Sequence, residues 1–274
     1  MNLVLSKQTQ AQVDSLTTNP PHALLLIGEA GMGTTTLARQ MAGGRLADII
    51  EPTLATGEID HQKGVVRVSQ IRKLYEITAG KSLTDRVYIL DSADKMNPQA
   101  QGALLKLLEE PVDNIRFILT AHTIEPILPT ILSRAQRITM SPISEVQSEE
   151  MLQQLGVIDT QQIAKLHFIA AGKPALIARY TKNPSDLEKM STLMVDARSL
   201  LQGSAYDRLV ICQKYASDRA QALRLIESAV SILKHTIASK PSEEIIDSMT
   251  RLAEAYDTIS RNGNVRIQLM ASVV

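Results

Sequence analysis

His22-Ala23-Leu24-Leu25-Leu26-Ile27-Gly28-Glu29-Ala30-Gly31-Met32-Gly33-Thr34-Thr35 is the stretch whose reading decides the fold. His22–Ile27 is a short apolar run that ends at a glycine, as a buried strand does. Thr34–Met41 reads as a helix, stopped by Gly43-Gly44. A glycine-rich turn between a strand and a helix is the setting of a phosphate-binding loop. Gly28, Gly31 and Gly33 let the backbone curl so that its amides, with the helix N-terminus, point at an anion. The usual pattern is G-x-x-x-x-G-K-[ST]. Here Thr34 stands at the lysine position, while Thr35 keeps the hydroxyl position. The lysine carries a full charge to the outer phosphates, and losing one charge-assisted hydrogen bond costs roughly 1.5–3 kcal/mol. Weak or no binding of ATP and magnesium follows as the expectation. A strand-to-helix turn without a ligand is the plainer alternative.

Outward from this loop, the first half alternates strand and helix. A strand is expected near Asp48–Glu51, stopped by Pro52. Ser69 caps a helix with Ile71, Leu74 and either Ile77 or Thr78 on its apolar face. Arg86–Leu90 is the next strand. Asn97-Pro98 is a cap followed by proline at the first helical position, and that helix runs to Glu110. Ile115–Ala121 is another buried strand, Pro126–Leu132 a short helix and Gln136–Met140 a last strand. Strands separated by helices predict a parallel sheet covered on both faces. After Pro142 the strand signal ends. Short helices are expected over Glu145–Leu155, Thr160–Ala171 and Pro174–Thr181. Longer ones follow over Asp186–Leu201, Tyr206–Ala216, Arg219–Ser239 and Glu243–Arg261.

A second acidic position lies at Val87-Tyr88-Ile89-Leu90-Asp91, an apolar strand ending in Asp. Such an Asp helps hold magnesium in P-loop ATPases; a strand-end cap is an equal alternative. Many of these enzymes place a Glu next, to polarise water. Here it is Ser92, whose hydroxyl is not basic enough near pH 7. Two altered catalytic positions point to a site no longer used for turnover.

Composition narrows the classes. The 274 residues are 44% apolar, enough for two or three cores. Lys+Arg and Asp+Glu are both 29, so no whole-molecule pull on nucleic acid is expected. The single cysteine, Cys212, builds neither a disulfide nor a thiolate zinc site. The histidines (His22, His61, His122, His167, His235) are far apart and read as structural, with no metal expected. Aromatics at 3% and no Trp argue against base-stacking platforms. Met1–Asp14 lacks signal-peptide character and no apolar run is long enough to span a bilayer, so a cytoplasmic chain without membrane contact is expected.

The stretch Asp91-Ser92-Ala93-Asp94-Lys95-Met96-Asn97-Pro98 through Ala103-Leu104-Leu105-Lys106-Leu107-Leu108-Glu109-Glu110-Pro111 resembles the clamp-loader branch of the AAA+ family. Leu128-Pro129-Thr130-Ile131-Leu132-Ser133-Arg134 looks like that family's L-x-x-T-I-x-S-R-C segment. Val68-Ser69-Gln70-Ile71-Arg72-Lys73-Leu74 and Asn262-Gly263-Asn264-Val265-Arg266-Ile267-Gln268-Leu269 are similar to two further family segments. The resemblance implies an α/β fold in three parts: an AAA+ P-loop domain with a parallel sheet over residues 1–141, a small helical lid over 142–183 and an all-α collar, for oligomerisation, over 184–274. It implies assembly with other clamp-loader subunits (gamma/tau and delta), contact with a ring-shaped sliding clamp, and primer-template DNA bound without sequence specificity.

The departures point within that family. The four-cysteine zinc module of many relatives is absent. The cysteine after Ser-Arg is Ala135. The lid motif G-x-x-R reads Gly172-Lys173-Pro174-Ala175, without its arginine. With Thr34 and Ser92, this favours a member of the DNA polymerase III delta-prime type, without ATPase activity of its own, over an active gamma/tau-type ATPase, which is the alternative. An inert scaffold outside replication and a kinase-like P-loop transferase are further alternatives. The resemblance implies that Arg134 is an arginine finger for a neighbouring subunit's nucleotide; a surface ion pair is the bland alternative. Arg72 and Lys73 open a helix and are candidates for a DNA phosphate, against an ordinary solvated face. Lys95-Met96-Asn97 is a candidate clamp contact, against a capped helix with an exposed lysine.

Overall fold

The computed structural model describes residues 3–17, 19–61, 63–78, 85–239 and 241–273. It divides into two compact units, Met1–Lys182 and Asn183–Val274. The first carries α1 (Lys7–Thr17), β1 (Ala23–Ile27), α2 (Thr34–Ala42), β2 (Leu46–Ile50), α3 (Val68–Thr78), β3 (Arg86–Leu90), α4 (Pro98–Glu109), β4 (Ile115–Ala121), α5 (Pro129–Leu132), β5 (Gln136–Thr139), α6 (Glu145–Gln154), α7 (Thr160–Ala170) and α8 (Pro174–Lys182). A short 3-10 turn, Ala93–Lys95, follows β3.

The five strands form one parallel sheet in the order β2-β3-β4-β1-β5. The strands are near-continuously apolar because helices cover both faces. Leu25, Tyr88, Leu90, Phe117 and Leu119 face α3 and α4, packing with Ile71, Leu74, Leu104 and Leu108. Leu24, Leu26, Val87, Ile89, Ile118 and Ile138 face the other way, with Leu37 and Ala38 of α2. This is the strand alternation of period two, with both sets inside.

Several elements came out as the sequence predicts because their chemistry is local. The Asn97 side chain accepts from the Ala100 amide at 2.8 Å, so α4 is capped as expected. Strands β3 and β4 match their expected bounds. Others differ. The helix α1 is additional to the expected elements; Val13 and Leu16 are its only large apolar residues, too few for a stripe. Helix α3 begins at Val68, so Ser69 lies inside it and is not its cap. Helix α5 is a single turn starting at Pro129, three residues later than expected.

Helices α6, α7 and α8, the expected lid, pack on one another within the first unit. Ser144 and Gln147 form a reciprocal capping box on α6, and Asp159 caps α7. Helix α7 ends in two left-handed residues, Ala171 and Gly172. A Cβ on Gly172 would lie 2.6 Å from the Ile143 carbonyl oxygen, so only glycine fits this turn.

The second unit is all helical: α9 (Pro184–Gln202), α10 (Ala205–Tyr215), α11 (Arg219–Ser239), α12 (Glu243–Ser260) and α13 (Val265–Ala271). Helix α11 packs against α9 and α12, burying Ala222, Leu225, Ile226 and Ala229. Helix α13 is additional to the expected elements. Asn264 caps it by accepting from the Ile267 amide at 3.1 Å.

Candidate nucleotide site

Sheet register assembles the site. Ile27 lies opposite Ala121 and Thr139, and Leu90 lies opposite Leu119. Strand β3 therefore ends two residues short of β1 and β4: Gly28 emerges beside His122, and Asp91 stands at the level of Thr120. Ligands of open parallel sheets bind in the crevice at these carboxyl ends. Gly31 and Gly33 have φ of +91° and +88°, the left-handed backbone that curls the loop onto the start of α2. Thr34 and Thr35 open that helix. Thr34, at the lysine position, is buried.

The loop is closed over by its own chain. The amides of Ala175 and Leu176, at the start of α8, both donate to the Gly31 carbonyl, at 3.0 and 3.2 Å. A Cβ on Gly31 would stand 2.3 Å from Leu176 Cγ, and one on Gly33 would stand 2.9 Å from Leu3 Cδ1. Lys173 Nζ lies 2.7 Å from Glu29 Oε2. Motif reading looks for an arginine at Ala175 and misses this cation. It stands two residues earlier, where the Gly172 turn swings it onto the loop.

Asp91 is buried and fully engaged. Its Oδ1 accepts from the Thr35 hydroxyl at 2.6 Å and the Thr120 hydroxyl at 2.7 Å. Its Oδ2 lies 3.3 Å from His61 Nδ1, and His61 Nε2 lies 3.4 Å from Glu51 Oε1. The Ser92 amide donates to Thr120 Oγ1 at 3.0 Å. Ser92 itself is held at φ +56°, an uncommon conformation for a residue with a side chain. Magnesium needs six oxygens in near-octahedral array. Thr35 and Asp91, which would supply two of them, are bonded to each other, and His61 sits on the remaining Asp91 oxygen. The Thr35 hydroxyl donates its proton to Asp91 and keeps its lone pairs, so the pair is compatible with a magnesium ion that displaces His61 from Asp91 Oδ2.

His61 and His122 both stand at the site, each beside a carboxylate. His122 Nδ1 lies 3.4 Å from Asp94 Oδ2. The Asp94 hydrogen bond and charge raise the imidazole pKa above its ordinary value; burial and Lys95 oppose this, and Asp91 adds to it. Asp94 is thus a partner for His122. Neither His61, Thr120 nor Lys173 is visible as a site residue in sequence, because each arrives from a distant segment.

The remaining candidates lie elsewhere. Arg134 Nη2 pairs with Glu109 Oε1 at 2.9 Å, and its Nη1 donates to the Thr130 carbonyl at 3.1 Å. This is the ion-pair arrangement, on a side chain that remains partly exposed. Arg72 and Lys73 do not open their helix: they are the fifth and sixth residues of α3, beyond its free amides. Both are exposed. Lys95 Nζ donates to the His61 carbonyl, Met96 is buried and Asn97 caps α4, so this trio serves the fold.

A parallel five-stranded sheet, a glycine loop opening a helix beside its central strand, and a helical C-terminal region define the α/β P-loop fold of the AAA+ type. Comparison with known proteins agrees. The family model described as DNA polymerase III, delta subunit, matches residues 45–144. The chain is 27% identical over 208 residues to the replication factor C small subunit 1 of Pyrobaculum islandicum, covering 75% of this chain and 58% of that protein. It is 25% identical to the Thermoplasma acidophilum replication factor C small subunit, covering 92% and 85%. It is 28% identical to the DNA polymerase III subunit gamma of Buchnera aphidicola, covering 55% and 48%. Several of these matches thus span only about half of the relative. Among solved structures, a DNA polymerase III gamma subunit-related protein from Thermotoga maritima superposes with a TM-score of 0.54 at 16% identity, covering 97% of each chain. The RuvB Holliday junction branch migration motor of the same organism gives 0.51 at 14% identity, covering 93% and 85%. These two share the fold. No helix among the described residues is long and apolar enough to cross a membrane.

Proposed function

We propose that this chain is a cytoplasmic clamp-loader subunit of the delta-prime type, which helps place a sliding clamp on primed DNA and does not hydrolyse ATP itself. The reading is supported by its similarity to replication factor C small subunits and to DNA polymerase III gamma. The observation that carries the loss of turnover is the pair of altered positions: Thr34 stands buried where the lysine would be, and Ser92 follows Asp91 where a base is needed. The glycine loop, Thr34, Thr35 and Asp91 then serve as structure, with weak or no nucleotide bound. Its partners are gamma/tau-like and delta-like subunits, the clamp and primer-template DNA bound without sequence specificity.

In this reading Arg134 acts on a neighbouring subunit's nucleotide. Its guanidinium must leave Glu109, a surface pair that costs under about 1 kcal/mol to break. Such a finger is worth about a thousand-fold or more in rate. In the assembled loader, Arg134→Ala should lower DNA-stimulated ATPase activity by that order; an unchanged rate removes the finger assignment. Helix α10 supports an oligomerising collar, because it exposes Tyr206, Leu209 and Val210 at helical spacing.

One observation favours the alternative, an active gamma/tau-type ATPase: Thr35 and Asp91 are kept within bonding distance, and Lys173 stands on the loop. Titrating the purified chain with fluorescent ATP separates the two. Magnesium-dependent micromolar binding with turnover selects the ATPase.

A further inference from the structure

A second recess adjoins the nucleotide site, sharing Glu51 with it. It is a cleft of about 600 Å³ between β2 and α3, roofed in part by the turn that carries Ile59. Its length follows four successive β2-side residues, Asp48, Ile49, Ile50 and Glu51, or roughly 13 Å of extended chain. Gln70, Lys73, Leu74 and Ile77 of α3 form the opposite wall. Among the described residues, strand β2 is an edge of the sheet and pairs with β3 alone, so its outer backbone donors and acceptors have no strand neighbour there.

Three features mark the cleft as built for an occupant. Tyr88 forms part of its lining and is 1% exposed, yet its hydroxyl has no hydrogen-bond partner among the described residues. A buried hydroxyl left unsatisfied costs about 1–3 kcal/mol, which a ligand's polar group would recover. Ile59 and Ile77 stand 59% and 55% exposed at its rim, beside half-buried Ile50. The charges are uneven. Asp48 faces Arg86 and Glu51 faces His61, while Lys73 has no carboxylate partner among the described residues.

We propose that this cleft receives an extended acidic–apolar segment of a partner protein, added as a strand along β2. Its alternate apolar side chains enter between Ile50, Ile59, Leu74 and Ile77. A carboxylate meets Lys73, and a polar group reaches the Tyr88 hydroxyl. Strand addition to a free sheet edge, with side-chain pockets against a neighbouring helix, is a recurrent mode of peptide recognition. A small amphipathic molecule would use the apolar walls and leave the strand edge unused. Duplex DNA would meet Lys73 and have no use for the isoleucines.

The test titrates the full chain, 13C-labelled at isoleucine methyls, with the blocked peptide Ser-Glu-Val-Leu-Val-Glu-Ser. Saturable shifts at Ile50, Ile59 and Ile77 are expected. A peptide with both Glu replaced by Lys should bind about tenfold more weakly. The exposed-site variant Ile77→Asp, folded by its amide spectrum, should weaken binding by a similar factor, and Tyr88→Phe several-fold. No shift at those methyls up to millimolar peptide overturns the proposal. So do equal binding of the lysine peptide, or duplex DNA or octanoate reproducing the same isoleucine shifts with equal affinity. The same shifts on raising protein concentration alone mean a second copy and overturn it too.

Discussion

At the residue scale, the decisive feature is the exchange of charges around the loop. Thr34 removes a cation that the loop would have aimed at phosphate, and the lid supplies another, Lys173, which Glu29 neutralises. Glu29→Gln keeps the shape and frees Lys173. Fluorescent-ATP affinity should then rise by about tenfold, the worth of one charge-assisted bond, without turnover, because Ser92 still stands where a base is needed. A second prediction concerns His122. Its pKa is raised in the fold, so its pairing with Asp94 adds stability that is complete below the unfolded value of about 6.5 and is lost as pH rises through the folded value. An NMR titration of the His122 ring should show a midpoint above 6.5, and Asp94→Asn should bring it down.

At the element scale, local chemistry explains which parts were legible. Asn97-Pro98 starts α4 and the apolar runs of β3 and β4 end where charged or small residues begin. Helix α1 was not legible, since Leu16 is buried but little else on it is apolar. The edge strand β2 was displaced from its expected place: its register against β3, Leu46 to Arg86 through Ile50 to Leu90, is set by the neighbour and not by its own exposed residues. In the helical unit, Asp196 of α9 is buried and accepts from Lys214 Nζ at 2.5 Å and the Tyr215 hydroxyl at 2.6 Å, both on α10. Burial, and then Asp196, push the Tyr215 pKa well above the ordinary phenol value. Asp196→Ala leaves the phenol hydroxyl buried without an acceptor. It should cost about 2 kcal/mol, read as a lower urea midpoint at unchanged slope.

At the scale of the whole molecule, two units with separate cores predict unfolding that is not two-state. Calorimetry should give a van't Hoff enthalpy below the calorimetric one, and Asp196→Ala should shift only the component belonging to residues 183–274. The formal charge of zero limits non-specific attraction to nucleic acid. If Arg72 and Lys73 are the DNA contacts, binding to primer-template should fall with salt at a log–log slope of about −2, and Arg72→Ala should reduce it by about one.

The amino-acid sequence alone determined the sheet, the glycine loop, the missing lysine and the helical second half. Those rest on periodicity and on turn chemistry, which act over a few neighbouring residues. Tertiary structure decided what occupies Asp91, which lysine reaches the loop, and where Arg72, Lys73 and Arg134 stand. The surroundings of Asp91, Lys173 and Arg134 depend on side chains from segments tens of residues apart meeting within about 3 Å, a distance set by register and packing and carried by no local pattern.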